Sequence, residues 1–301
     1  RHLAKAQQVA KTFDIDVVSS NWRSLVTNPK YDLISIALPP QVQADVLPLA
    51  VKNNKHIFCE KPPVMSYLEM LSVEKMEKSF PEIKVQFGFN HRQMSHYKSL
   101  KKIILSKEYG EALWVRGVYG KGFDNEFFKG WRSDDSLSGG GIFFDQGIHM
   151  LDMVIDLLGD LSIENVLIDN EKDYPRIDIN MFIHLRSKKG VPISLHSSML
   201  QWKHKLSLEV GTEKAIIGID GILSSTKSYG SEKIRIDRHW KNNFVEKVKS
   251  KYTNYIKIPK NMISGYYKFV VFDEIKNSSG KVYNIGCHKI FKENIELPNT
   301  D

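Results

Sequence analysis

The sequence predicts an α/β protein in two parts: a parallel sheet covered by helices, then an α+β part built on a large, mainly antiparallel open sheet. Three observations predict it. Through about residue 92, short apolar strand-like runs alternate with helix-like stretches, the pattern of a parallel sheet. Each run stops at a proline-rich or polar turn, as strands do at one sheet edge. From Ala112 to Val118, and again from about Ile163 to Leu223, β-rich stretches follow one another with a single long helix between them. The boundary falls near residue 109, and the 301 residues suffice for two hydrophobic cores.

The elements read off in order. Leu3, Ala6, Val9, Ala10 and Phe13 fall at helical spacing. Asp32 to Leu38 is a strand that stops at Pro39 and Pro40, Gln41 to Lys52 is a helix, and Lys55 to Cys59 is a strand that stops at Glu60, Lys61 and Pro62. Ser66 caps a helix through Ser79, with Glu69 completing a capping box, and Ile83 to Phe87 is the next strand. A helix from about Ser95 to Ser106 leads to Gly110. Ligands of open α/β sheets bind beyond the carboxyl ends of the strands, so Pro39-Pro40, Glu60-Lys61-Pro62 and Asn90-His91-Arg92 are expected to converge.

Composition leaves the function class open, with 42% apolar and 26% charged residues. The net charge of +8 would favour anionic partners. The Lys, Arg and aromatic segment from Lys227 to Lys260 is the feature that suits nucleic acid, but no nucleic-acid motif accompanies it, so no such partner is expected. Cys59 and Cys287 lie far apart and in no metal or redox spacing, which argues against a disulfide framework or a zinc site and fits a reducing cytoplasm. No apolar run is long enough to span a bilayer, so no membrane partner is expected.

Two constellations can carry chemistry. Lys61 follows a buried-looking strand and precedes two prolines, so its backbone is stiff and its amine faces the ligand edge, where it can give or take a proton. A surface lysine paired with Glu60 is the alternative. The second constellation is Gly130-Trp131-Arg132, then Ser138 and three glycines, then Asp145, His149, Asp152 and Asp156 in steps of four, three and four. At about 100° per residue those four form a stripe roughly 60° wide on an otherwise apolar helix. A solvent-facing stripe has the same period, but exposed helix faces favour Lys, Glu and Gln, whereas this one holds only Asp and His. The glycines leave N–H groups open at the helix start, yet no Lys-Ser or Lys-Thr follows to make a P-loop, and no G-x-G-x-x-G occurs. His91, His96, His184, His196, His204, His239 and His288 show no spacing for metal ligation and read mostly as structural or exposed; no metal is expected.

Taken together, Ala37-Leu38-Pro39-Pro40, the stretch Lys55 to Pro62, and Trp131-Arg132 through the three glycines to Asp145, Gly147, His149 and Asp152 resemble the Gfo/Idh/MocA family of NAD(P)-dependent oxidoreductases over at least residues 1–220. The resemblance implies an incomplete Rossmann dinucleotide-binding domain at 1–108, with the first strand, glycine-rich turn and second strand missing, and a substrate and oligomerisation domain at 109–301. It implies Lys61, Asp145 and His149 as catalytic residues and Ala37, Leu38, Pro39, Pro40, Glu60, Lys61 and Asn90 beside NAD or NADP. Arg92, Trp131, Arg132, Asp145 and His149 are then the substrate-binding set. Many members carry Thr-Pro and a histidine where this chain has Leu38-Pro39 and Gln43. The expected activity is hydride transfer between a nicotinamide and a hydroxyl-bearing carbon of a sugar, polyol or sugar derivative, a nucleotide sugar among them, by a cytoplasmic homo-oligomer, dimer or tetramer. A non-catalytic ligand-sensing or assembly protein of the same fold is the alternative.

Overall fold

In the computed structural model, the described residues are 3–122, 127–224 and 227–238, with two short strands beyond them at 275–276 and 282–283. The chain divides into two compact units, Arg1–His239 and Trp240–Asp301. In the second unit the described strands, Ile275–Lys276 and Val282–Tyr283, pair antiparallel. The remainder of the basic segment, from His239 onward, together with Cys287 and His288, lies outside the described residues.

The first unit opens with helices α1 (Leu3–Phe13) and α2 (Trp22–Val26), then alternates strand and helix: β1 (Leu33–Ile36), α3 (Pro40–Lys52), β2 (His56–Cys59), α4 (Tyr67–Ser79) and β3 (Val85–Phe87). The three strands pair in parallel in the order β1-β2-β3. Proline starts α3, where its missing N–H costs nothing. The expected capping box is present on α4: Ser66 accepts from the Glu69 N–H, and the Glu69 carboxylate accepts from the Ser66 N–H. Val46, Leu47, Ala50 and Val51 of α3 and Val73 of α4 pack with Ile36, Ile57 and Cys59 in one core. Those strand residues alternate with Leu33, Ser35, His56 and Phe58, which are exposed, so helices α3 and α4 cover one face of the sheet.

A 3-10 turn (Asn90–Gln93) leads into α5 (Ser95–Ser106), and then β4 (Ala112–Gly122) enters a second sheet. After the short helix α6 (Asp135–Ser138), a π-helical turn (Phe143–Gly147) runs directly into α7 (Ile148–Leu158). Strands β5 (Leu161–Glu171), β6 (Tyr174–Ser187), β7 (Pro192–Gln201), β8 (Lys205–Thr212), β9 (Ala215–Asp220) and β10 (Lys233–Arg238) complete seven strands in the order β10-β9-β8-β4-β7-β6-β5. Every neighbouring pair is antiparallel except β4 with β7, which are parallel. One face of this sheet packs on α5 and α7, where Leu100, Met150, Met153 and Val154 meet Val115, Leu195, Leu208 and Ile217. A Cβ on Gly117 would lie 2.4 Å from Met150 Sδ, so the bare glycine is what lets α7 settle against β4.

Candidate active site

Lys61 is delivered by the end of β2. The Glu60 N–H donates to Ile36 O at 2.8 Å, extending the parallel ladder one residue, and the chain then turns through a cis Lys61-Pro62 peptide. That turn is held from α3. Gln43, fully buried, donates from Nε2 to Glu60 O at 3.0 Å and to Pro62 O at 2.7 Å, bracketing Lys61 on both sides. We expect Gln43→Ala to leave both carbonyls unpaired and to cost about 2–3 kcal/mol in a urea melt, with turnover falling alongside. The Lys61 ammonium does not pair with Glu60. It donates to the carbonyl oxygen of Asp145 and lies 3.4 Å from Asp145 Oδ1. The Glu60 carboxylate instead lies over Gly88, where a Cβ would come within 3.0 Å of Oε2.

Asp145 and His149 come from the helix that follows the three glycines. The N–H groups at its start are not open: Asp178 of β6 accepts from the Gly141 N–H at 2.7 Å and from the Phe143 N–H at 2.8 Å. A carboxylate at a helix N-terminus satisfies both the donors and the dipole, so a phosphate cradle there is ruled out. Asp145 lies in the π-helical turn and His149 just inside α7. The expected single stripe is accordingly divided. Asp145 takes Lys61, and its Oδ1 also lies 3.4 Å from Arg132 Nε; the Arg132 guanidinium in turn stacks 4.5 Å over the Trp131 ring. Asp152 and Asp156, further along α7, take a different cation.

They bind Arg92. Its Nε donates to Asp152 Oδ2 at 2.7 Å, its second terminal nitrogen donates to Asp152 Oδ1, and Nη1 reaches Asp156 Oδ1 at 3.1 Å. Asp156 also accepts from the Tyr97 hydroxyl at 2.6 Å and from Lys101 at 2.7 Å. Arg92, expected to line the substrate pocket, is therefore committed to two carboxylates and ties the Asn90–Gln93 turn to α7.

The clasp brings in a histidine that its spacing did not single out. The His91 ring stacks on His149 with centroids 3.9 Å apart and planes 20° apart. His91 Nδ1 faces Asn90 Oδ1 at 2.9 Å and Nε2 faces the Tyr119 hydroxyl at 3.2 Å. Tyr119 meets Tyr229 edge-on at 5.7 Å, and Tyr229 accepts from Gln146 Nε2 at 2.9 Å. Burial, and then the charges of Lys61 and His96, push the His91 imidazole down to about 4. Burial, His91 and Lys61 push His149 down to about 2, so both rings are neutral at physiological pH.

These depressed values set a pH dependence of stability. Above 6.5, the ordinary imidazole value, both rings are neutral whether the chain is folded or not, and stability is at its full value. Below it the unfolded chain takes up protons that the folded chain refuses, so stability falls as pH drops toward about 4 for His91 and further for His149. At about 1.4 kcal/mol per pH unit, each ring is expected to remove about 2 kcal/mol by pH 5. Urea melts at pH 7 and pH 5 measure the difference, and variants lacking either histidine should show a smaller one.

Pro40 and Pro62 on one side and Trp131, Arg132, Ser138, Gly140, Phe144 and Asp145 on the other line a narrow cleft of about 10 Å³, room for about one water. Ala37 and Leu38 lie beyond the end of β1 on the same edge as Glu60 and Lys61, with Leu38 40% exposed. Asn90 follows β3 beside His91. An exposed apolar side chain at a strand edge suits a flat heteroaromatic ring. Among the described residues no group of three or more His, Cys, Asp or Glu could hold a metal. Sequence reading placed His91 at the ligand edge without a role, and it gave no site role to Gln43, Tyr119 or Asp178. His91 lies between Asn90 and Arg92, both expected at the site, but its partners are 28 and 58 residues away in the chain.

Two family models match. Residues 1–89 match the oxidoreductase family with an NAD-binding Rossmann fold, and residues 97–218 match the GFO/IDH/MocA C-terminal domain. The levoglucosan dehydrogenase of Pseudarthrobacter phenanthrenivorans is 29% identical over 165 residues, 54% of this chain and 42% of that protein. The scyllo-inositol 2-dehydrogenase (NAD(+)) of Bacillus subtilis is 31% identical over 156 residues, 52% of this chain and 43% of that one. The matched stretch thus spans less than half the length of these relatives. Among solved structures, levoglucosan dehydrogenase in complex with NADH superposes with a TM-score of 0.68 at 22% identity, covering 78% of this chain and 68% of that one, which shows a common fold.

Proposed function

The chain belongs to the GFO/IDH/MocA oxidoreductase family, and on that premise we propose that it serves a nicotinamide-dependent dehydrogenase acting on a hydroxyl-bearing carbon of a sugar, polyol or sugar derivative. The observation that carries the proposal is the meeting of Lys61, from the end of a parallel strand, with Asp145 and with the neutral ring of His149, from the helix of the other sheet. Neither sheet alone holds the pair.

Ala37, Leu38, Pro39, Pro40, Glu60 and Asn90 would hold NAD or NADP along the strand edge, and when bound the cofactor supplies or accepts the hydride. The chain's own residues move the proton. In the reductive direction the Lys61 ammonium donates a proton to the carbonyl oxygen; in the oxidative direction the same nitrogen receives it from the hydroxyl. Asp145 keeps that nitrogen aimed, and Arg132 on the same carboxylate limits its swing. His149, uncharged, accepts a hydrogen bond from the substrate hydroxyl and fixes its direction. Trp131 and Arg132 line the cleft and bind the rest of the sugar.

The division at residues 108 and 109, a cytoplasmic setting and the absence of a nucleic-acid partner belong to the same proposal. Among the described residues no helix is long and apolar enough to cross a membrane. Assembly as a homo-oligomer, dimer or tetramer, is supported by the second face of the seven-stranded sheet. There Phe182 stacks on His196, and Arg116, Glu209 and Arg235 form a charged ladder that no helix covers among the described residues. Light scattering on the full-length protein checks it, and a monomer at micromolar concentration would overturn it.

The activity is tested with full-length protein by following NADH and NADPH fluorescence and then turnover on a panel of sugars, inositols and sugar phosphates. Cofactor binding with turnover of at least one polyol is the expected result. Cofactor binding with no turnover across the panel favours the ligand-sensing reading, and no binding at all overturns both.

A further inference from the structure

His149 is walled in by rings. His91 lies flat against it, the edge of Phe89 meets it at 6.0 Å and 81°, and Tyr119 leans over it at 6.3 Å and 45°. Of these, His91 has the most specific anchorage. Asn90 Oδ1 can only accept, so His91 Nδ1 carries the hydrogen; Nε2 is then the acceptor for the Tyr119 hydroxyl. With both nitrogens engaged, His91 has none left for a substrate. It can act only through its face.

The anchorage is built into the same helix that carries His149. Asp152 is three residues further along α7, one turn away and on the same side, and it grips Arg92, the neighbour of His91. Helix α7 thus holds the turn whose ring presses on its own histidine. From this geometry we infer that His91 is a positioning residue, whose face, set by the Arg92–Asp152 clasp, holds the His149 ring in one plane and keeps water from it. The inference rests on the proposed role of His149 in orienting the substrate hydroxyl. The titratable groups facing His149 are Lys61 from the end of β2, His91 from the 3-10 turn and Tyr119 from β4, with His96 acting on His91 and Asp145, in the π-helical turn, holding Lys61. Of these, His91 is the one in van der Waals contact over a whole ring face, so its removal is what admits solvent.

The test uses full-length protein labelled with 15N-histidine and two substitutions. His91→Phe keeps a flat ring without the nitrogens; His91→Ala removes the face, and His91→Asn replaces it if the alanine variant does not fold. His149 is expected to stay neutral from pH 5 to pH 8 in the wild type and in His91→Phe, and to titrate within that window in His91→Ala. Turnover is expected within about 5-fold of wild type for His91→Phe and about 10²-fold lower for His91→Ala, with the loss deepest below pH 7 and KM for the dinucleotide little changed. Unchanged His149 resonances and turnover in His91→Ala, or a His91→Phe variant as impaired as the alanine one, would overturn the inference. Should the wild type turn over no polyol, the dehydrogenase reading fails while the resonances still decide whether His91 governs His149.

Discussion

Lys61→Ala in the full-length protein is expected to lower turnover by about 10²- to 10⁴-fold, the range of a lost proton-transfer group, while dinucleotide binding measured by fluorescence stays within a few-fold of wild type. The expectation follows from where the amine is held. Gln43 fixes the backbone on both sides of it, and Asp145 receives the ammonium through both its backbone carbonyl and its side chain. Lys61→Arg separates charge from proton transfer. The guanidinium keeps the ion pair with Asp145 but holds its protons at any accessible pH, so arginine should restore folding stability and not turnover. Near-normal turnover of Lys61→Ala would remove the amine from the mechanism.

The largest structural effect is expected at Gly141. A Cβ there would lie 2.0 Å from Asp178 O and 2.5 Å from Asp178 N, both backbone atoms of β6, a strand paired on both sides, that no rotamer change can move aside. Gly141→Ala must shift either β6 or the start of the helix, and it loses the two N–H bonds to the Asp178 carboxylate if the helix moves. A cost above about 3 kcal/mol is expected, about 6–12 °C in melting temperature for a unit of this size. Any variant that folds should also lose turnover, because Asp145 and His149 move with the helix. Gly159→Ala is the control: nothing lies within 4 Å of a Cβ there, and the penalty is confined to its backbone, φ 78° with ψ −152°, a region essentially reserved for glycine, at about 1–3 kcal/mol. A Gly141→Ala melt no lower than that of Gly159→Ala would show that the strand and helix can part cheaply.

The fold was legible wherever local chemistry decides it. The capping box at Ser66 and Glu69, the proline start of α3 and the apolar spacing of α5 each act within a few residues, and those elements lie where the sequence places them. Strand ends were less sharp: Asp32 to Leu38 reads as one run, but the ladder covers Leu33–Ile36, since an end residue joins a sheet only if its neighbour strand is as long. At the site, Lys61, Asp145 and His149 were legible as residue types in order. The regular stripe from Asp145 to Asp156 was misleading, because a period computed from 3.6 residues per turn cannot register a π-helical turn at Phe143–Gly147. His91 was legible as a residue of the ligand edge but not in its role, and Gln43 and Asp178 were not legible at the site, since each role is defined by a partner far along the chain or by a backbone carbonyl that leaves no mark on residue type.

The parallel contact of β4 with β7, at the centre of an otherwise antiparallel sheet, carries a consequence for how this protein comes to exist. Two adjacent strands running the same way need a crossover, and here that crossover contains α7, β5 and β6. The central ladder therefore cannot zip until the loop between its halves is closed, which makes late, long-range pairing the slow step on the way to the native state. Because Asp145 and His149 ride in that crossover, assembly of the candidate site and completion of the sheet are a single event: a nascent chain released before Gln201 would have neither.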